Sequence, residues 1–131
     1  MPAESFGRVI RVLVLLDKGQ PMTRAAHQAL REHLQQRAPD REIYLTDTDY
    51  AWSTHRGSFV AYLSAVVADY DVFIRPVAPG AAPVVLQGSN QIIQRALAAG
   101  KRVRIWDGTA LRPVTGTEYA KGMSGYLLSV A

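Results

Sequence analysis

An α/β fold with a mainly parallel sheet of four to five strands is what this sequence predicts, and three observations predict it. Short β-branched and aliphatic runs alternate along the chain with longer segments whose apolar residues recur at helical spacing. The first run, residues 9–16 (VIRVLVLL), is apolar on both alternating faces, as a strand buried on both sides must be. Each later run is separated from its predecessor by enough chain for a helix, which makes neighbouring strands parallel and covers both faces of the sheet. The expected architecture is a Rossmann-like, flavodoxin-like three-layer sandwich with strand order about 2-1-3-4, forming one domain over residues 1–131.

Residues 9–16 end at the turn Asp17, Lys18, Gly19, and a helix is expected from Pro21, which a first helical turn tolerates. Ala26, Leu30 and Leu34, flanked by Ala29 and His33, form its apolar face until Ala38, Pro39 and Asp40 stop it. Ile43, Tyr44 and Leu45 make a short second strand that runs into the polar cluster Thr46, Asp47, Thr48, Asp49. A second helix is expected from about Ser53, striped by Phe59, Leu63, Val66 and Val67. Residues 72–77 read as the third strand, 90–99 as a third helix and 102–107 as the fourth strand, with Gly100 at the position of a left-handed helix cap.

Two segments do not fit this alternation. The apolar, proline-interrupted connection 78–87 is longer than most strand-to-helix loops, and such loops serve as lids, binding loops or interfaces. Beyond Arg112 the chain is broken by Pro113, Gly116, Gly122 and Gly125, so that residues 126–130 read either as one more strand or as a segment packed on a partner subunit.

Composition excludes several classes of function. Of 131 residues, 48% are hydrophobic and 20% charged, a globular balance that needs neither disulfide nor structural metal to close a core. Absence of Cys removes disulfides, thiolate zinc sites and cysteine nucleophiles. The net charge of +4 is mostly guanidinium, which binds phosphate and carboxylate bidentately. Its spread, without an aromatic ladder or basic tail, argues against nucleic acid as a partner. The densest cluster, Arg95, Lys101, Arg102 and Arg104, reads either as cations offsetting a helix C-terminal dipole or as a phosphate-binding patch. The first apolar run is too short to cross a bilayer, so a cytoplasmic protein without membrane contact is the expectation.

In a doubly wound sheet the ligand crevice lies beyond the C-terminal strand ends, here where strands one and three diverge. Asp17 stands at that point. Gly88, Ser89 and Asn90 open the third helix, where free backbone N–H groups, a missing Cβ and a hydroxyl suit an anion, although Ser89 or Asn90 would equally serve as a helix cap. Ser53, His55 and Arg56 gather two hydrogen-bonding side chains and a cation, a second candidate anion site. Asp47 and Asp49, at the end of strand two, occupy the place from which a carboxylate accepts ribose hydroxyls in such folds. His55 would act as an acid or base only beside a positioned partner.

Familiar signatures are missing. A single Gly19 follows strand one where a dinucleotide fingerprint needs three glycines, and Gly100-Lys101 is followed by Arg102, not Ser or Thr, as a P-loop would require. The pair Gly122 and Gly125 falls one residue short of a nucleophile elbow. His27 and His33 point about 240° apart on a helix and cannot share a metal. No cofactor or metal is expected.

Residues 68–74 (ADYDVFI) and 88–103 (GSNQIIQRALAAGKRV) carry a resemblance. This pattern resembles the nucleoside 2-deoxyribosyltransferase family and its Rossmann-like nucleotide-binding relatives, including the lysine-decarboxylase-like nucleotide hydrolases. Gly88, Ser89, Ala96, Gly100 and Lys101 match the spacing, over about the middle third of the chain. The family places a catalytic glutamate four residues after the helix-opening glycine, and here that residue is Ile92; the acidic residue two before the glycine is Leu86. The resemblance implies a nucleotide-shaped pocket without the family's carboxylate nucleophile, which neither Ile92 nor Gln91 replaces.

Three functional expectations follow. The leading one is a non-enzymatic protein that binds a small-molecule nucleotide or nucleoside, with Gly88, Ser89 and Asn90 on phosphate or sugar oxygens. It is expected to form a homo-oligomer through the apolar segments 83–86 and 126–128. The others are an N-glycosidic transferase or hydrolase with a relocated Asp, and an oligomeric scaffold whose crevice is filled by side chains.

Overall fold

The computed structural model describes residues 9–16, 22–76 and 90–114. In chain order these form β1 (Val9–Val14), α1 (Arg24–Arg37), β2 (Glu42–Asp47), α2 (Thr48–Thr54), α3 (Phe59–Asp69), β3 (Val72–Pro76), α4 (Asn90–Ala98), β4 (Arg102–Trp106) and β5 (Leu111–Pro113). The five strands make one sheet in the order β2-β1-β3-β4-β5, with the first four parallel and β5 antiparallel to β4. This is the Rossmann-like α/β sandwich that the alternation of runs predicts.

Strand periodicity divides the core into two layers. Val12 and Val14 of β1, with Ile43, Leu45, Ile74 and Trp106, pack under Leu30 of α1. Leu13 and Leu15, with Phe73, Val103 and Ile105, pack against Leu63 and Val66 of α3 and Ile92, Ile93 and Ala96 of α4. All four consecutive residues Val12, Leu13, Val14 and Leu15 are fully buried, which only a strand sandwiched between two helical layers permits.

Local chemistry fixes the helix ends. Thr23 caps α1, its Oγ1 accepting from the Ala26 N–H at 3.1 Å, so the helix starts at Arg24 and not at Pro21. At the other end of the fold Gly100 takes φ 76°, and its N–H and that of Lys101 donate back to Leu97 and Ala96, closing α4 with the expected left-handed cap.

A further expectation is corrected. The single helix expected from Ser53 is two helices: α2 has already begun at Thr48, capped by Asp47, and ends at Thr54. The chain turns through Gly57, at φ 149°, and Ser58 then caps α3, its Oγ accepting from the Ala61 N–H at 3.1 Å. The segment 126–130, which reads either as a strand or as a segment packed on a partner, lies outside the described residues; among the described ones a fifth strand is present as β5, Leu111–Pro113. A tight turn makes it possible, because Asp107 Oδ1 accepts from the Thr109 and Ala110 N–H groups and the Thr109 hydroxyl. These bonds hold the Asp107 carboxyl below its ordinary value. Among the described residues no helix is long and apolar enough to cross a membrane.

Candidate functional site

The carboxyl ends of β1 and β2 are held together by their own register. Val14 pairs with Asp47, and just beyond the two strand ends the Leu16 N–H donates to Thr48 Oγ1 at 3.0 Å. Asp47 Oδ1 accepts from the Tyr50 N–H at 2.8 Å, which starts α2 and fixes the direction of the carboxylate. Asp49 follows in the first turn of that helix.

Facing these carboxylates is the amino end of α1. Its first turn carries no acidic residue, so beyond the Ala26 N–H that Thr23 caps no side chain of that turn offsets the free N–H groups or the positive end of the helix dipole. Arg24 and His27 add side-chain donors to the same end. Together, Val14, Leu16, Met22, Thr23, Arg24, His27, Asp47 and Asp49 enclose a cavity of about 280 Å³. One wall donates, the opposite wall only accepts, and Val14, Leu16 and Met22 supply apolar surface between them. Such a cavity suits a ligand that presents an anion at one end and hydroxyls at the other.

The expected site residues fall into three groups. Asp17, Gly88 and Ser89 lie outside the described residues, as do the connection 78–87 and the segment 126–130, while Asn90 is the first residue of α4. Asp47 lines the cavity with Asp49. Ser53, His55 and Arg56 do not join them. The Ser53 hydroxyl donates to the Tyr50 carbonyl at 2.8 Å, and Arg56 is exposed between α2 and α3. The His55 ring lies in an aromatic cluster, 6.2 Å from Trp52 and 5.6 Å from Tyr62, with Nε2 buried and not hydrogen-bonded. That environment offers no positioned acid or base.

Burial pushes the hydroxyl of Tyr62 up to about 12, with Tyr70, Asp49 and Asp47 adding to the shift. It stays neutral and meets the Thr48 carbonyl at 3.4 Å. Ile92, the position of the family glutamate, is 5% exposed and belongs to the core shared with α3.

Sequence reasoning passes over three positions here and weighs a fourth, His27, only as a metal partner for His33. Thr23 and Arg24 go unremarked, although their place directly after the first strand's turn is a signal. Arg75 is the third. It is 5% exposed at the carboxyl end of β3, and its Nη1 donates to the Leu15 carbonyl at 3.0 Å, putting a buried cation beside the end of β1. A guanidinium inside an otherwise apolar strand was the visible sign.

No protein-family model, curated protein or solved structure matches the chain.

Proposed function

We propose that this protein binds a small nucleotide or nucleoside, with the phosphate or sugar end on the amino terminus of α1 and ribose hydroxyls on Asp47 and Asp49. The observation that carries the reading is the cavity that sets a donor-rich helix terminus, with Arg24 and His27, against two carboxylates at the end of β2. Phosphate on a helix N-terminus and ribose on a strand-end carboxylate is the division of labour that doubly wound sheets support. The cavity sits near the lower bound of ligand pockets, about 300 Å³, which favours a mononucleotide or sugar phosphate over a dinucleotide. The function is binding without turnover, because Ile92 occupies the place of the nucleophile in the family that the middle of the chain resembles.

A thermal-shift screen with nucleosides, mono-, di- and cyclic nucleotides and sugar phosphates tests this. A true ligand at 100 times its Kd stabilises the native state by about 2.7 kcal/mol, several degrees in Tm for a chain of this size. Asp49→Asn and Arg24→Gln each weaken the response if the ligand sits here. Silence across the panel, or a response that both variants leave intact, overturns the reading.

A second reading, an interaction protein, is favoured by one feature: Tyr50, Trp52, Phe59 and Val60 are each about half exposed or more around the α2–α3 corner. Exposed apolar surface of this kind marks contact sites. Light scattering on the purified protein and on Trp52→Ser decides it, the reading requiring an oligomer that the variant dissociates.

A further inference from the structure

A second polar cavity lies at the opposite end of the sheet. Arg102 and Arg104 are two residues apart on β4 and therefore share a face, the one on which Trp106 packs into the α1-side core. Arg37 arrives at the same place from the last turn of α1. The three guanidiniums line one groove of about 430 Å³ whose floor is Ile10, Ile43 and Val72.

Among the described residues, none that lines the groove is acidic, so no side-chain carboxylate of its lining balances this charge. The C-terminal dipole of α1 amounts to about half a negative charge, enough to account for one of the three cations at most. Arg104 is partly buried and held below its ordinary value by that burial, then by Arg102 and Arg37. One N–H of Arg104 is used on the Val103 carbonyl at 3.0 Å, and a guanidinium has five. Three mutually repelling cations beside an apolar floor, one of them, Arg104, partly desolvated, are an unfavourable arrangement that a multiply charged anion would relieve.

We infer that the groove formed by Arg37, Arg102 and Arg104 is a binding site for a small polyphosphorylated anion, separate from the cavity at the amino end of α1. Planar, permanently charged forks suit bidentate contact with successive phosphoryl groups. A single phosphate engages too few of them to gain the same affinity. At about 430 Å³ the groove has the size of a small-molecule pocket, which favours a compact polyanion over a nucleic-acid backbone.

Isothermal titration of the full chain with inorganic tripolyphosphate, and with orthophosphate at matched ionic strength, tests the inference. One saturable site is expected for tripolyphosphate, with orthophosphate weaker. Arg37→Gln and Arg102→Gln, both at exposed positions, each weaken it by about 10-fold or more, as removal of a charge-assisted contact does, while Arg24→Gln in the other cavity leaves it unchanged. Circular dichroism confirms that each variant is folded. The inference is overturned by absence of saturable binding, by binding that survives both substitutions, or by loss in Arg24→Gln alone. Tighter, Arg102-dependent binding of a single-stranded oligonucleotide also overturns it, in favour of a nucleic-acid surface. Because the probe has no sugar and Arg37 and Arg102 lie outside the first cavity, failure here leaves the nucleotide reading standing, and the converse holds.

Discussion

Thr23 shows how one side chain serves both stability and the candidate site. Its hydroxyl oxygen satisfies the Ala26 N–H, and loss of such a cap costs about 1 kcal/mol. Thr23→Ala is therefore expected to lower the unfolding free energy by that amount, read as a lower denaturant midpoint at unchanged slope, while the other N–H groups of the first turn stay available to an anion. Tyr62 makes a prediction in pH. Its native-state value of about 12 stands above the ordinary 10.0, so the folded protein holds the proton more tightly than the unfolded chain. The resulting stabilisation is complete below pH 10 and is lost as pH rises from 10 toward 12. Thermal melts across that interval should fall less steeply for Tyr62→Phe than for the parent protein. An equal slope in the two proteins would show that this hydroxyl does not carry the effect.

Among the elements, α1 carries the most consequence, since both cavities are built on its ends. It is held to the sheet mainly through Leu30, which is fully buried. Leu30→Ala should cost about 3 kcal/mol, in the range for a buried leucine whose cavity collapses only partly, and urea unfolding reads it directly. The hairpin to β5 is the opposite case: three residues held by a turn in which Asp107 receives three hydrogen bonds. Asp107→Ala should speed amide exchange in β5 and leave β1 protected.

These elements also mark what a sequence discloses. β1, α1, β3, α4 and β4 are legible because apolar residues repeat at a fixed period over most of their length. The α2–α3 break is not, because Ser53, Thr54 and Ser58 are all acceptable helix starts and only the hydrogen bonds made by Asp47 and Ser58 choose between them. β5 is too short for periodicity, and its Pro113 argues against a strand unless the strand lies at an edge. In the candidate site, Asp47 and Asp49 were legible from their place after strand two. Thr23, Arg24 and His27 were not, because their role depends on which strand end the amino terminus of α1 faces. That is a property of the register between β1 and β2.

At the scale of the molecule, the two sides of the sheet are unequally covered. α3 and α4 pack on one side, whereas among the described residues α1 is the helix packed on the other. Past the last turn of α1, β4 and β5 present Arg102, Arg104, Leu111 and Pro113 to the basic groove. The groove thus exists because the helical layer on that side stops short. Its partner cavity exists because the same helix begins just past β1.

The length of α1 then sets the relation between the two. Fourteen residues span roughly 20 Å, more than twice the screening length of about 8 Å at physiological ionic strength. Anions held at its two ends would scarcely feel each other's field through the intervening salt solution. Saturating the basic groove with tripolyphosphate should leave nucleotide affinity at the other end unchanged at 0.15 M salt, as competition titrations would report. Any cross-talk that survives added salt would have to travel mechanically, by displacement of the helix as a rigid rod.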